Sequence, residues 1–281
     1  MRWRLFTLTA LVASAAVFAG GCGDDEDEGS EGAAAPKALQ ITASGSGKNT
    51  KVSAPASVPA GLTRITLRNS AKQPVAAQFV KVSGGQSAEQ VAKAGDAWGD
   101  KGGPLPTWMR LAGGTPRTLP GQSSTASQVL TPGKYFAFDI ETDAAAPFEV
   151  EPGDGGGSLP DAPGGTVAAS EYKFEASNLR AGKHAILFEN VGKEPHHMVA
   201  APIKPGKTIA DVRRYARTEK GEDPIDEKGV VDSPTIDGGG RQVLTLNLKK
   251  KGTYALLCFV PDRRGGPPHV AKGMVSEATV R

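Results

Sequence analysis

Histidine and cysteine are scarce in these 281 residues: there are four histidines, none before His184, and two cysteines, Cys22 and Cys258. Two cysteines cannot build a disulfide framework. If Cys22 is used elsewhere, Cys258 has no partner, and outside the cytoplasm an unpaired thiol is a liability unless it is buried or ligated. Aromatic residues make up only 6% of the chain, the net charge is only +3, and no Lys/Arg cluster is interleaved with aromatics. Nucleic acid is therefore not expected as a partner. Nothing resembles a nucleophile–base triad or a phosphate-cradling loop, and His-rich or Met-rich tracts that would store metal are missing. Long apolar runs are missing too. The one at residues 5–19, preceded by Arg2 and Arg4, falls short of the ~18–20 residues of a membrane-spanning helix and reads as an export signal over 1–21.

What is abundant is punctuation. With 36 glycines and 21 prolines, short apolar-alternating runs are cut off every few residues, which is the pattern of an all-β protein. The runs expected as strands are 38–43, 63–68, 76–82, 135–141 and 148–150, then 172–176, 185–190, 198–202, 242–248, 253–260 and 274–280. An acidic, glycine-rich stretch at 22–36 reads as a solvated tether and the Gly/Pro-rich segment 152–165 as a linker. The length suits two domains, 37–151 and 166–281.

The two halves read as copies. Residues 60–69 (AGLTRITLRN) align with 181–190 (AGKHAILFEN) at an offset of 121. The register holds for Lys72/Lys193 and Pro74/Pro195. It holds too for a helix start, Ser87 to Gln90 against Thr208 to Asp211, each with the hydroxyl and the reaching side chain of a capping box. Later the offset is 119, aligning Gly133 and Tyr135 with Gly252 and Tyr254. The copies differ in chemistry: Val75 stands where the second half has His196, and Asp139 where it has Cys258.

Residues 258–274 (CFVPDRRGGPPHVAKGM) gather a thiol, an imidazole and a thioether, the donors of a soft-metal site with copper the natural candidate. Gly252-Thr-Tyr254-Ala-Leu-Leu-Cys258, His269-Val-Ala-Lys-Gly273-Met274-Val, and upstream Asn190-Val-Gly192-Lys-Glu-Pro195-His196-His197 together resemble three elements, in order, of the plastocyanin-like cupredoxins. The resemblance covers about residues 165–281. It implies two tandem cupredoxin-like Greek-key β-sandwich domains, the first degenerate and without ligands, each with a short helical excursion. It further implies one type 1 copper per chain, with His196, Cys258 and His269 as equatorial ligands, Met274 as a weak axial ligand, and His269 exposed as the electron exit. Two departures stand out. Ten residues separate Cys258 from His269, which closure entropy permits at ~0.6 kcal/mol per doubling of loop length. His197 replaces the asparagine that usually braces the loop and is itself a competing ligand. His184, on an alternating strand, reads as structural; Arg263, Arg264 and Lys272 read as solvated charge, and Trp98 and Trp108 as packing.

Residues 19–22 (AGGC) resemble a bacterial lipoprotein processing box, which implies lipidation at Cys22. The expected protein is thus a lipid-anchored extracytoplasmic copper-binding protein, an electron carrier with a redox or copper-exchange protein as partner. The alternative is a metal-free cupredoxin-like binding or structural lipoprotein. With four histidines and none paired as His-x-His for further coppers, the chain is not expected to be an enzyme.

Overall fold

The computed structural model describes residues 36–281, which form one compact unit. The export signal, Cys22 and all but the last residue of the tether lie outside the described residues. The first half contributes β1 (Lys37–Ser44), β2 (Lys51–Ser53), β3 (Ser57–Pro59), β4 (Gly61–Asn69), β5 (Val75–Val82), helix α1 (Ala88–Gly99) and β6 (Met109–Thr118). It ends with β7 (Ser123–Leu130), β8 (Gly133–Phe138) and β9 (Ala145–Glu151). The second half contributes β10 (Thr166–Ser170), β11 (Lys173–Ser177), β12 (Gly182–Asn190), β13 (Val199–Pro202) and helix α2 (Ile209–Thr218). It continues with β14 (Val231–Asp232), β15 (Arg241–Leu248), β16 (Gly252–Leu257) and β17 (Val275–Val280). The protein is all-β, two Greek-key sandwiches in tandem with one helical excursion each.

The strands exist because apolar residues alternate with period two. Along β4, Thr63, Ile65, Leu67 and Asn69 are buried while Arg64 and Arg68 are exposed. Along β12, Ile186, Phe188 and Asn190 are the buried set. Both helices begin with the expected capping box, Ser87 with Gln90 and Thr208 with Asp211.

The copies persist down to single hydrogen bonds. Asn69 Nδ2 donates to Gln73 O and Thr118 O, and its Oδ1 accepts from Ala71 N. Asn190, 121 residues on, donates to Glu194 O and Ile236 O and accepts from Gly192 N. Tyr135 donates its hydroxyl to Thr131 O, four residues back, and Tyr254 does the same to Lys250 O.

One eight-stranded sheet runs through both halves, in the order β11-β10-β12-β15-β7-β4-β1-β2, which reads symmetrically about the β15/β7 pair. There Val243 pairs with Ser127 and Leu244 with Ala126, and the Thr125 and Thr245 hydroxyls meet at 2.8 Å. Each half closes its sandwich with its own sheet, β3-β9-β8-β5-β6 or β14-β13-β16-β17. One apolar core, with Phe79, Ile65, Phe188, Leu244 and Tyr254, runs through both. Residues 152–165 carry no strand or helix and lie along neighbouring strands, with Leu62 N bonded to Gly156 O and Gly164 N to Ala185 O. Among the described residues no helix is long and apolar enough to cross a membrane.

Candidate metal centre

Cys258 follows β16 directly and continues its alternation. Tyr254, Leu256 and Cys258 face the main core, while Ala255 and Leu257 face a separate cluster that includes Val212 and Ala216 of α2. His196 sits between β12 and β13. Asn190 fixes the loop that delivers it, and Ile236 O, which accepts from Asn190 Nδ2, also accepts from His196 N at 3.0 Å. His269 opens a single 3-10 turn, His269–Lys272, which Gly273 terminates in a left-handed conformation that a side chain would strain. Met274 N then bonds to His269 O at 2.9 Å. The Met274 side chain is fully buried in the same core as Cys258.

The structure thus brings His196, Cys258 and His269 together, all fully buried, with one donor atom of each lying within 4.8 Å of the others. Cys258 Sγ is 3.4 Å from His269 Nδ1 and 3.8 Å from His196 Nδ1, and the two ring nitrogens are 3.1 Å apart. His197 does not join them. Its Nε2 accepts the Phe259 N–H at 2.8 Å, so the second histidine braces the start of the loop after Cys258.

The ten-residue loop closes without difficulty because it is held at nearly every turn. His269 N bonds to Val260 O and Val270 N to Cys258 O. Arg263 N donates to Glu194 Oε2, and the Arg263 guanidinium donates to Asp237 Oδ2 at 2.6 Å and to Met109 O. The first half supplies more anchors: Trp98 indole N–H to Asp262 O, Leu105 N to Arg263 O, and Gly102 O accepting from Gly266 N. Arg263 is therefore structural rather than solvated. So is Lys272, which donates to Asp262 and Tyr172; only Arg264 is exposed. Trp98 is buried in an apolar cluster of the first half with Val80, Val91 and Leu111 and has a hydrogen-bonding role as well, Trp108 packs against that cluster, and His184 bonds locally to Ala181 O.

His269 is not the exposed imidazole that the resemblance implied. Its ring is fully buried. The Nε2 lies 2.9 Å from Asp262 Oδ1, and the Tyr172 ring meets it edge-on with centroids 5.0 Å apart. The ten-residue loop folds back so that Asp262 meets the ring, and Tyr172 closes over it. Sequence reading passed over Asp262 and Tyr172. Asp262 stood in view within the loop, but no spacing rule marks it, and Tyr172 is brought in from the turn between β10 and β11, 97 residues before His269, by the fold alone.

Burial sets the charge state. It pushes the Cys258 thiol up to about 12, and burial followed by the neighbouring His269 brings His196 down to about 4. Burial also lowers His269, against the pull of Asp262. Both rings are consequently neutral at pH 7 and offer lone pairs. His269 Nε2–H is committed to the Asp262 carboxylate, so His269 Nδ1 presents its lone pair to Cys258 and His196. His196 Nε2 is buried with no hydrogen-bond partner among the described residues. Two imidazole nitrogens and a sulfur converging in the buried interior fit a soft or borderline cation, which would deprotonate the thiol on binding.

No protein-family model matches the sequence, and no curated protein matches it. Solved structures do. Dithionite-reduced auracyanin from the photosynthetic bacterium Roseiflexus castenholzii is similar at 21% identity over 41% of this chain and 94% of its own, with a TM-score of 0.27. A multicopper oxidase is similar at 14% identity over 87% of this chain and 88% of its own, TM-score 0.23. The copper nitrite reductase from Nitrosomonas europaea is similar at 14% identity over 88% and 94%, TM-score 0.23. At these values the likenesses lend this chain no chemistry or partner. They do overturn the expectation that the chain is not an enzyme, since structures similar over nearly its whole length include an oxidase and a reductase. That expectation rested on a histidine count in one chain, and such a count is blind to ligands a second copy could supply.

Proposed function

We propose that this chain is a cupredoxin-like copper protein that holds one copper ion in a type 1 centre and carries electrons. His196 Nδ1, Cys258 Sγ and His269 Nδ1 are the equatorial donors in this reading, and Met274, buried in the same core, is the weak axial one. The observation that carries this reading is the convergence of those three atoms within 4.8 Å, on three fully buried residues. A type 1 copper supplies one-electron exchange between Cu(I) and Cu(II) in a two-imidazole, one-thiolate set that suits both states. The chain's part is to keep the donors still, so that little rearrangement accompanies the exchange. Asn190 and Ile236 fix His196, β16 fixes Cys258, and the braced loop fixes His269. With His269 covered, the partly exposed Tyr172 and Lys272 form the outer wall over the ring, and we assign the docking of a redox or copper-exchange protein to that face. Lipid on Cys22 would tether the protein outside the cytoplasm.

The test is to add one equivalent of Cu(II) to the purified chain and record a visible spectrum. The expected result is an intense thiolate-to-copper charge-transfer band, lost in Cys258→Ala. A colourless protein that retains no stoichiometric copper would overturn the reading in favour of a metal-free binding module. Mass spectrometry of the membrane fraction, with Cys22→Ser as control, tests the lipid.

A further inference from the structure

Asp262 is the most heavily engaged side chain around the site. Its Oδ1 accepts from His269 Nε2 at 2.9 Å and from the Tyr172 hydroxyl at 2.9 Å. Its Oδ2 accepts from Lys272 Nζ and faces the same hydroxyl at 3.2 Å. Lys272 Nζ also donates to the Tyr172 hydroxyl at 3.0 Å and lies 4.7 Å from the centre of its ring. The main chain is pinned as well: Asp262 O accepts from the Trp98 indole and from Gly265 N, both at 2.8 Å. The carboxylate therefore has one position, and with it the His269 ring has one orientation, Nδ1 facing Cys258.

A carboxylate that accepts the far N–H of a metal-bound imidazole does two things. It fixes tautomer and orientation, and through a charge-assisted bond it makes the ring a stronger donor. A stronger donor favours Cu(II) over Cu(I).

We infer that Asp262 is the positioning and tuning residue of this centre, holding His269 as the Nε2–H tautomer and biasing the bound metal toward its oxidised state. The tuning half rests on the proposed copper function; the positioning half does not. Lys272 and Tyr172 moderate the effect by sharing the carboxylate's charge. The three side chains form a graded set, in which removing the acceptor and removing one of its other donors act in opposite directions.

The experiment has a metal-free and a copper-loaded arm. In metal-free protein labelled with 15N-histidine, His269 is expected as the Nε2–H tautomer with a proton protected from exchange, and the protection is expected to vanish in Asp262→Ala, which removes the acceptor altogether. An Nδ1–H tautomer in the wild-type protein would overturn the proposal whether or not copper binds. In copper-loaded protein, Asp262→Asn is expected to keep the charge-transfer band and shift the midpoint potential upward. Tyr172→Phe, which leaves the carboxylate freer to polarise His269, is expected to shift it downward. Glu194→Gln removes a nearby charge that bonds Arg263 N instead of the ring, and its shift is expected to be clearly smaller than that of Asp262→Asn. Equal shifts in those two variants, or shifts of the same sign in Asp262→Asn and Tyr172→Phe, would sink the tuning role. Failure of the wild-type protein to bind copper would sink the copper reading and with it the tuning role, while the tautomer still decides positioning.

Discussion

Asp139 and Cys258 occupy the same place in the two copies, and comparing them shows how one residue changes what a sandwich can do. Both are fully buried at the end of a strand, β8 or β16, facing the loop that enters β5 or β13. In the second half the neighbours are His196 and His269, and the sulfur forms a triangle with one ring nitrogen of each. In the first half the carboxylate bonds inward, accepting from Ala76 N at 3.1 Å and from the Thr142 hydroxyl at 2.5 Å. Those bonds and Arg117 do not offset its burial, which pushes the Asp139 carboxyl above the usual carboxylate range. The folded protein thus holds this proton more tightly than the unfolded chain does. The associated stability is fully present below the ordinary carboxylate pKa and is lost as pH rises through the raised one. Asparagine keeps the shape and the bond from Ala76 without the charge. Asp139→Asn is therefore expected to melt above the wild-type protein at pH 7, with the gap closing as the pH is lowered toward 4. A gap that is constant with pH would show that the carboxylate carries no such penalty.

At the scale of elements, the strands that announced themselves in the sequence were those with one wet and one dry face, such as β4 and β12. Helix starts were legible from capping boxes because that chemistry is local. β6 was hidden: it contains Gly113 and Gly114 at positive φ, and its pairing with β5 slips twice, so it reads as a turn. β7, SSTASQVL, is too polar to stand out, because its middle pairs with β15 across the molecule. The three converging donors were legible because each stands in a motif, Asn190 to His197, Gly252 to Cys258 and His269 to Met274, whose order and spacing resemble a known family's. The acid and tyrosine behind His269 were not, since loops carry no period. The loop has one sharp local requirement that can be tested. Gly265 has φ +86°, and a Cβ there would sit 2.3 Å from Gly102 O. A left-handed backbone alone costs about 1–2 kcal/mol for an ordinary residue, and here the neighbouring chain must also give way. Gly265→Ala is expected to lower the melting temperature and to speed hydrogen exchange at Gly266 N and Leu105 N, which bond across the same seam. Gly206→Ala is the control. It shares the positive φ, at +78°, but meets nothing within 4 Å, and is expected to leave those two amides protected.

At the scale of the whole molecule, the duplication reads as two domains in sequence, yet the halves are joined by a common sheet and by a polar seam that leads to the candidate metal centre. Ile236 bridges Ala112 of β6 on one side and His196 on the other. Gly113 N bonds to Thr235 O and Asp237 N to Leu111 O, so residues 235–237 act as a short strand between the first half and His196. Gln78 of β5 locks this strand. Its Oε1 accepts from Thr235 N at 2.7 Å, and its Nε2 donates to Thr235 O at 3.0 Å and Gly113 O at 3.2 Å. The first half thereby shapes the position of His196 through this seam, and of His269 through Trp98 and Leu105. Deleting the Gln78 amide would strand the Thr235 N–H in a buried seam and weaken two carbonyls, and each unsatisfied buried group costs about 1–3 kcal/mol. Gln78→Ala is therefore expected to lower unfolding stability by about 2–4 kcal/mol in urea titration. Because the seam ends at His196, the same variant is expected to bind Cu(II) more weakly although the substitution lies in the other half. Loss of stability with unchanged copper affinity would mean that Asn190 alone suffices to place His196.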